Sequence, residues 1–530
     1  MRNEIKELLQ GAIEELKTSE KWPDFEMPEI EVDYPKNEAF GDYTTNIAMV
    51  LAKVVKKNPM EIAESIKQQA ESIKQSGIEK LEVAKPGYIN FYLAKEYFDN
   101  LVVKINDQQE KFGDSSMGQG EKIHLDFVSA NPTGPVTLGN GRGGTFGDVL
   151  ASVLEKTGHK PWREYYVNDF GNQVKVLGHS VLKDDEAQYS GDYIDDLAGK
   201  ISGTDPFEVG QKAAEIILEE IIKPSMEKIG ITFDEYFSEK SLHESGEVEK
   251  VFKDFFDKDL FYEKDGAVWF CAEKFGDEKD RVVRKSTGEV TYFGGDIAYH
   301  KNKLGRGFSR AIDVWGADHH GDVKRVLGAV DALGYKGKVE IILNQLLKVI
   351  KDGKEFRMSK RKGTYVSIDD LLEEVGRDAV RFFFSMYSRD THMTFDLDLA
   401  REKSEKNPVY YVQYAYARIS SILRKAEEKG FKFNDDNKIK LTEEKELTLV
   451  RKLNKFPELI EEISTTHEVH KLPHYAISLA DSFHSFYNDL TVIDEGEPEI
   501  TAARLKLINA VRIVLGETLR LIGVNSPDRM

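Results

Sequence analysis

Residues 123–144 read IHLDFVSANPTGPVTLGNGRGG. The apolar run from Ile123 to Val128 has strand character, and turn-forming residues bound it. Asn131 to Gly144 holds five glycines and two prolines. A helical pattern follows from Thr145 to Lys156, and Trp162 to Val167 reads as a second strand. Strand, glycine-rich loop, helix, strand opens a βαβ unit, which predicts an α/β domain built on a parallel, doubly wound sheet. Glycines let a backbone approach a ligand, and the helix N-terminus adds partial positive charge, so the loop suits a phosphate. A tight turn with no ligand is the plainer reading of the same residues. The spacing matches neither G-x-G-x-x-G nor a P-loop, so plain dinucleotide binding fits poorly.

Outward from this unit, the chain has 530 residues, enough for three or four domains of about 100–200 residues each. The net charge of −19 excludes a uniformly basic nucleic-acid coat but not a local basic strip. A single cysteine, Cys271, excludes an internal disulfide and a multi-cysteine zinc site and fits a reducing compartment. Ile5, Leu8, Leu9, Ala12, Ile13 and Leu16 fall at the spacing of an ordinary amphipathic helix. Its glutamates argue against a transit peptide, and no apolar run reaches the roughly 18 residues that span a membrane. A cytoplasmic protein with no membrane contact is expected.

Three domains are expected: an N-terminal α/β domain over 1–112, the sheet domain over 113–395 with an insertion at about 183–280, and an all-helical bundle over 396–530. Ile30–Val32 and Tyr88–Tyr92 read as strands of the first, and the Gly/Ser-rich stretch Lys111–Gly120 as a linker. Val290–Phe293, Ala311–Trp315 and Val339–Leu343 read as returning strands of the second. Pro408 sits where it can open a helix of the third, with Val409, Val412, Tyr416 and Ile419 at helical spacing.

A second element is FRMSKRKG at 356–363. From Lys348 to Lys362 there are seven basic residues against two acidic ones, in an acidic chain. Lysines on a loop can close over a polyphosphate and neutralise charge that develops during transfer. Alone, such a run is a solvated face.

Together, the glycine-rich loop and the Met-Ser-Lys stretch about 220 residues later resemble the two signatures of class I aminoacyl-tRNA synthetases. SANPTGP (129–135), REYYVNDFGNQV (163–174), DIAYH (296–300), WGADHHG (315–321), NPVYYVQYAYARI (407–419) and the terminal SPDRM (526–530) sharpen this to the bacterial type of arginyl-tRNA synthetase. FGDYTTNIA (40–48) and KPGYINFYL (85–93) fit that family's extra N-terminal domain.

The resemblance implies a Rossmann-like catalytic domain that joins L-arginine to tRNA(Arg) through an arginyl-adenylate. ATP would come with Mg2+ and no metal would be bound by the protein itself; the chain would act as a monomer and need bound tRNA before the first step. The family's His-x-Gly-His signature falls on Thr137-Leu138-Gly139-Asn140, so both histidines are replaced. A threonine hydroxyl and an asparagine amide still donate hydrogen bonds, and tryptophanyl enzymes of the class carry a similar Thr-x-Gly-Asn. Thr137, Gly139, Asn140 and Lys360 would then serve catalysis. Pro132, Gly134, Gly141, His320, Met358, Ser359 and Gly363 would bind ATP. Asp126, Ser129, Asn131, Tyr292 and Asp296 would bind arginine, Asp296 as the carboxylate facing the guanidinium. Tyr43, Asn46 and Tyr88 would touch the tRNA elbow; Tyr411, Tyr414, Arg529 and Met530 would lie at the anticodon. A class I enzyme for another amino acid, a related adenylylating ligase and an inactive tRNA-binding paralogue stay open at this level.

Overall fold

The computed structural model describes residues 1–19, 22–74, 77–356, 366–431 and 439–530. At the N-terminus, α1 (Arg2–Ser19), α2 (Ile47–Val55), α3 (Pro59–Ile73) and α4 (Lys95–Gln108) accompany strands β1 (Tyr43–Thr45), β2 (Ile78–Ala84) and β3 (Tyr88–Leu93). The strands form an antiparallel sheet in the order β1-β3-β2. The apolar stripe read from the sequence is the buried face of α1. Ile30–Val32 does not form the expected strand; only an isolated bridge pairs Asp33 with Thr44. The Lys111–Gly120 stretch is no free linker, because the amides of Ser115, Gly118 and Gly120 donate to the carbonyls of Lys156, Thr157 and Gly158 at 3.0, 2.8 and 2.8 Å.

The central sheet begins with β4 (Lys122–Asp126), followed by α5 (Leu138–Lys156) and β5 (Lys160–Val167). Helices α6 (Asn172–Leu182), α7 (Asp192–Lys200), α8 (Pro206–Ile217) and α9 (Lys223–Ile229) lead to β6 (Glu235–Ser238). β6 pairs in parallel with β5. The expected insertion at 183–280 is therefore divided: its middle supplies the edge strand of the main sheet. The second piece holds α10 (Glu239–Glu244), α11 (Glu247–Asp257) and an antiparallel sheet of β7 (Phe261–Lys264), β8 (Ala267–Phe270) and β9 (Arg281–Arg284). It has its own aromatic core around Phe252, Phe255, Phe261 and Phe270.

Helix α12 (Tyr292–Gly305) starts where the sequence suggested a strand at 290–293, because the Thr291 side chain accepts from the Gly294 amide and caps it. Then come β10 (Arg310–Gly316), α13 (Val323–Ala332) and β11 (Val339–Asn344). The parallel order is β11-β10-β4-β5-β6. The chain winds outward from β4 to β6 and then returns to β4's other side, so its direction reverses between β4 and β10. Ligands of such sheets bind at the carboxyl ends of the strands at that reversal.

A three-stranded unit follows, with β12 (Leu347–Lys351), β13 (Lys354–Glu355), α14 (Ile368–Val375), α15 (Arg377–Met386), β14 (Met393–Asp396) and α16 (Leu397–Arg401). Helices α17 (Pro408–Glu428), α18 (Glu444–Thr466), α19 (Lys471–Asp489) and α20 (Pro498–Ile522) make the bundle, and Pro408 opens α17 as read. Among the described residues no helix is long and apolar enough to cross a membrane.

Buried polar joints connect these parts. Arg381 on α15 is fully buried; it reaches Asp148 of α5 at 2.5 Å, the Ile522 carbonyl ending α20 at 2.7 Å, and the Ile229 and Gly230 carbonyls after α9 at 3.2 Å each. Glu458 on α18 accepts from the Arg2 amide and the Tyr43 hydroxyl, at 2.9 and 2.8 Å, and from Tyr34.

Candidate active site

The turn after β4 is strained. Val128 and Ser129 take positive φ values of 69° and 35°, which side chains with a Cβ rarely adopt, a β-branched valine least of all. The bend is held by the Ser129 hydroxyl, which donates to Asp126 Oδ1 at 2.5 Å and accepts from the Tyr166 amide at 3.0 Å. α5 then begins at Leu138 with Thr137 as its cap. The Thr137 hydroxyl accepts from the Asn140 amide at 3.3 Å and donates to Asn140 Oδ1 at 2.5 Å, while Asn140 Nδ2 lies 3.4 Å from the Val128 carbonyl. The two residues that replace the signature histidines thus form one hydrogen-bonded unit at a helix N-terminus.

The glycines of this stretch divide by role. A Cβ on Gly139 would meet little but the Thr137 hydroxyl, at 3.7 Å, leaving that face open for a ligand. A Cβ on Gly144 would lie 2.6 Å from Val128, and one on Gly141 2.7 Å from Ile368. Gly144 is a packing glycine that lets the helix lie against the bent end of β4. Gly141 is buried inside the fold, the side of its absent Cβ packed against α14. Pro132 is buried in the loop, whereas Asn131 and Gly134 are half-exposed.

The second signature, with Met358, Ser359, Lys360 and Gly363, lies outside the described residues. Its C-terminal flank runs beside the first: Thr137 and Ser367 form an antiparallel bridge, and the Ile368 amide donates to the Val136 carbonyl at 2.9 Å. His320 sits exposed in the turn Ala317–Asp322 after β10, at the same carboxyl edge of the sheet.

Across the crevice, the N-terminus of α12 brings Tyr292 and Asp296 to this edge. Asp296 lies in the second turn, and Thr291 supplies the cap, so the helix-cap explanation for this carboxylate falls away. Burial, with Glu239 and Asp322 adding, pushes the Asp296 carboxyl up to about 8. Glu239 is buried at the start of α10, and a Cβ on Gly295 would stand 2.8 Å from its Oε1. Tyr166 hydrogen-bonds Glu239, and the Asn168 amide, oriented to suit its neighbours, donates to Glu239 Oε2 at 2.9 Å. The half-exposed Tyr292 accepts a bond from the Gln173 backbone. The result is an acidic recess rimmed by tyrosines, in which burial and the neighbouring acids outweigh the pull of Lys303 on Asp296, and His243 Nε2 stands 3.8 Å from Glu239 Oε1.

Glu239 was not legible in the sequence. It sits in a charged helical stretch and reaches Asp296 only because β6 pairs with β5. Asn168 and Gln173 fall inside the 163–174 motif, which was a signal for them. Asp126, expected near the substrate, points inward instead: it meets Ser129, the Tyr299 hydroxyl at 3.0 Å and Lys303 at 3.8 Å. Its assignment to arginine contact is corrected to support of the bend.

Of the expected tRNA-facing residues, Tyr43 is fully buried, with its hydroxyl committed to Glu458 and Asn454. It docks the N-terminal domain onto α18, which corrects the expected elbow contact. Asn46 is half-exposed and Tyr88 exposed. Tyr410, Tyr411, Tyr414 and Tyr416 are all half-buried. Tyr410 stacks on Tyr414 at 6.3 Å, and His484 lies 6.0 Å from Tyr414 and 4.9 Å from Tyr411, giving a ladder of rings on the bundle surface. Arg529 and Met530 are exposed at the end of the chain.

Comparison with known proteins gives three family matches along the chain. Residues 3–93 match the arginyl tRNA synthetase N terminal domain, 201–384 the catalytic domain of class I (R) tRNA synthetases, and 412–530 the DALR anticodon binding domain. The arginine–tRNA ligase of Carboxydothermus hydrogenoformans is 44% identical over 526 residues, covering 94% of each chain. That of Bacillus subtilis is 42% identical, covering 100% of this chain and 99% of its own. The solved arginyl-tRNA synthetase of Thermus thermophilus superposes with a TM-score of 0.78 over the whole of both chains at 19% identity, a likeness of fold.

Proposed function

The chain belongs to the arginyl-tRNA synthetases of class I, and from that membership we propose how its own residues perform the ATP-dependent attachment of arginine to tRNA. Arginine enters the acidic recess, where Asp296, with Glu239 behind it, receives the guanidinium. A forked cation satisfies such a site in a way that lysine's point charge and citrulline's neutral urea do not. Asn131 and the bend at Ser129 hold the α-amino and carboxylate end toward the crevice.

The arginine carboxylate attacks the α-phosphorus of ATP, forming arginyl-adenylate and releasing pyrophosphate. Thr137 and Asn140 donate toward the phosphates at the α5 N-terminus, Gly139 leaves room for them, and Lys360 neutralises the departing charge. Pro132 and Gly134 shape the loop and His320 borders the nucleotide. Mg2+ arrives as part of the ATP complex. A terminal ribose hydroxyl of the tRNA, the 2′ in this class, then attacks the acyl carbon and AMP leaves. Positioning and charge stabilisation carry both steps, without a covalent enzyme intermediate.

The domains divide the work as 1–112, 113–395 and 396–530. Asn46 and Tyr88 touch the tRNA elbow, while Tyr411, Tyr414, Arg529 and Met530 meet the anticodon, where the half-buried rings stack on unpaired bases. The enzyme acts as a monomer in the cytoplasm. The observation that carries this reading is the acidic pair Asp296 and Glu239 across the crevice from the Thr137–Asn140 unit, with the Asp296 carboxyl pushed up to about 8. Arginylation of purified tRNA(Arg) tests it. The unaltered chain charges tRNA and Lys360→Ala does so at least about 10²-fold more slowly, as loss of one transition-state donor requires; charging by Lys360→Ala at the parent rate would refute the assignment.

A further inference from the structure

Arg142, two residues past Asn140 on α5, is 2% exposed. Its guanidinium meets three backbone carbonyls: Nη1 donates to Gln345 at 2.6 Å, and Nη2 to Ser388 and Thr391 at 2.9 and 3.0 Å. Burial pulls the group down to about 10, with Tyr387 opposing. A buried arginine that holds a fold together usually meets a carboxylate, as Arg381 meets Asp148. Among the described residues the hydrogen bonds of Arg142 go to carbonyls, and a rigid fork of donors spent in that way fixes the place of the backbone.

Those carbonyls stand where two strands begin. Gln345 lies between β11 and β12, and Ser388 and Thr391 lie between α15 and β14. The Gln345 amide donates to the Arg389 carbonyl at 2.9 Å and the Met393 amide to the Leu346 carbonyl at 3.2 Å, which brings the two starts side by side. β12 and β14 then run in parallel from Leu347 and Met393 to Ile350 and Asp396. β12 turns back into β13, the Phe356 amide donates to the Val349 carbonyl at 2.8 Å, and the chain passes on into the second signature. On the far side of that signature, Ser367 bridges Thr137 and the Ile368 amide bonds the Val136 carbonyl. The described flanks on both sides of the second signature are thus secured to the stretch Val136–Arg142, one directly and the other through the Arg142 guanidinium.

We propose that Arg142 is a positioning residue for adenylate formation: it holds the β12–β14 sheet, and with it the entry to the second signature, at a fixed place relative to Thr137 and Asn140, so that both signatures serve the same phosphates. This deepens the proposed function and rests on the roles given there to Thr137, Asn140 and Lys360. A displacement of about 1 Å far from the chemistry can cost about 10²-fold in rate. Arg142→Lys keeps the charge but not the planar fork, so it cannot hold three carbonyls of two segments in one plane.

The full chain, with tRNA(Arg) present, is assayed for arginine-dependent exchange of pyrophosphate into ATP in Arg142→Lys and Arg142→Gln, each alone and combined with Lys360→Ala. The exchange rate should fall about 10- to 10²-fold in Arg142→Lys and further in Arg142→Gln. KM for arginine should stay within about twofold of the parent, because the recess is built from α10 and α12. In the Lys360→Ala background the same substitutions should cost at most about twofold, since the group they position is already gone. Equal losses in both backgrounds, a parental rate, or a KM for arginine that rises as the rate falls overturns the role. Failure of both variants to fold, read by melting, makes Arg142 a joint of the core like Arg381 and overturns it as well. Exchange by Lys360→Ala alone at the parent rate would instead refute the enzyme assignment, and that outcome is read without any change at position 142.

Discussion

One helix, α12, carries two sets of acidic contacts that meet opposite fates. On its inner face Lys303 bonds Asp313 at 2.7 and 2.8 Å, and His300 Nε2 reaches the same carboxylate at 3.0 Å. The Tyr299 hydroxyl lies between Asp126 and Glu164, and Arg306 makes a two-point fork with Glu164 at 2.7 and 2.8 Å. Although burial opposes ionisation, Lys303 and His300 hold Asp313 well below the usual carboxylate range, and His124 and Arg306 do the same for Glu164. At the helix's outer end burial, with Glu239 and Asp322 adding, outweighs the pull of Lys303, and Asp296 rises to about 8. The inner-face carboxylates each have a cation in ion-pair contact, whereas at the proposed arginine recess Asp296 is dominated by burial and by other acids. The two sets of acids on one helix are thus told apart by what surrounds them.

The most severe way to break that contrast is Lys303→Met. It leaves Asp313 buried with its main partner gone, a loss of about 3–5 kcal/mol, read as a lowered denaturation midpoint. Asp296→Asn should do the reverse: kcat/KM for arginine falls about 10²–10³-fold while the midpoint holds or rises, because an acid set among other acids has been removed. If Asp296→Asn destabilised the chain as Lys303→Met does, the two sets would not differ in kind.

The pH dependence sharpens the comparison. In the proposed mechanism Asp296 must be ionised to pair with the guanidinium, and its carboxyl is pushed up to about 8. KM for arginine should therefore fall up to about tenfold per pH unit from 6 to 8 and then level, and Asp296→Asn should flatten the profile. For folding the sign is opposite. The raised value means that between about 4 and 8 the folded chain keeps a proton the unfolded chain has lost, so this group's contribution weakens stability as pH rises through that window. Saturating arginine should reverse the loss, which melting curves at pH 6 and pH 8 would read. The smallest effect is that of Tyr43→Phe, which removes bonds to Glu458 and Asn454 but no charge; a loss of about 1 kcal/mol in stability with charging unchanged is expected.

The sequence reveals whatever is local. The strand, the glycine-rich turn and the helix after it are visible because period and turn chemistry act over a few residues. Thr137 and Asn140 are readable as a pair because a cap and its third residue are neighbours in sequence. Glu239 is not, since its partnership with Asp296 depends on pairing between strands about 70 residues apart. Tyr43 misleads for the same reason: the carboxylate that buries its hydroxyl, on α18, is 415 positions away. The strand expected at 290–293 fails because a threonine cap outweighs a short β-branched run. The glycines of α5 look alike on paper, and only the neighbours of each absent Cβ separate ligand access from close packing.

Arg381 bears on how this molecule can be taken apart. Its guanidinium closes a cage whose walls come from the signature helix, the crossover after α9 and the last carbonyl of the bundle. Cutting the chain between its catalytic and helical parts would strand that charge in an apolar seam with one wall missing. The halves are modules by ancestry and not by autonomy, so expressing either alone should yield an insoluble fragment, and recombining them in one tube should not substitute for a continuous polypeptide.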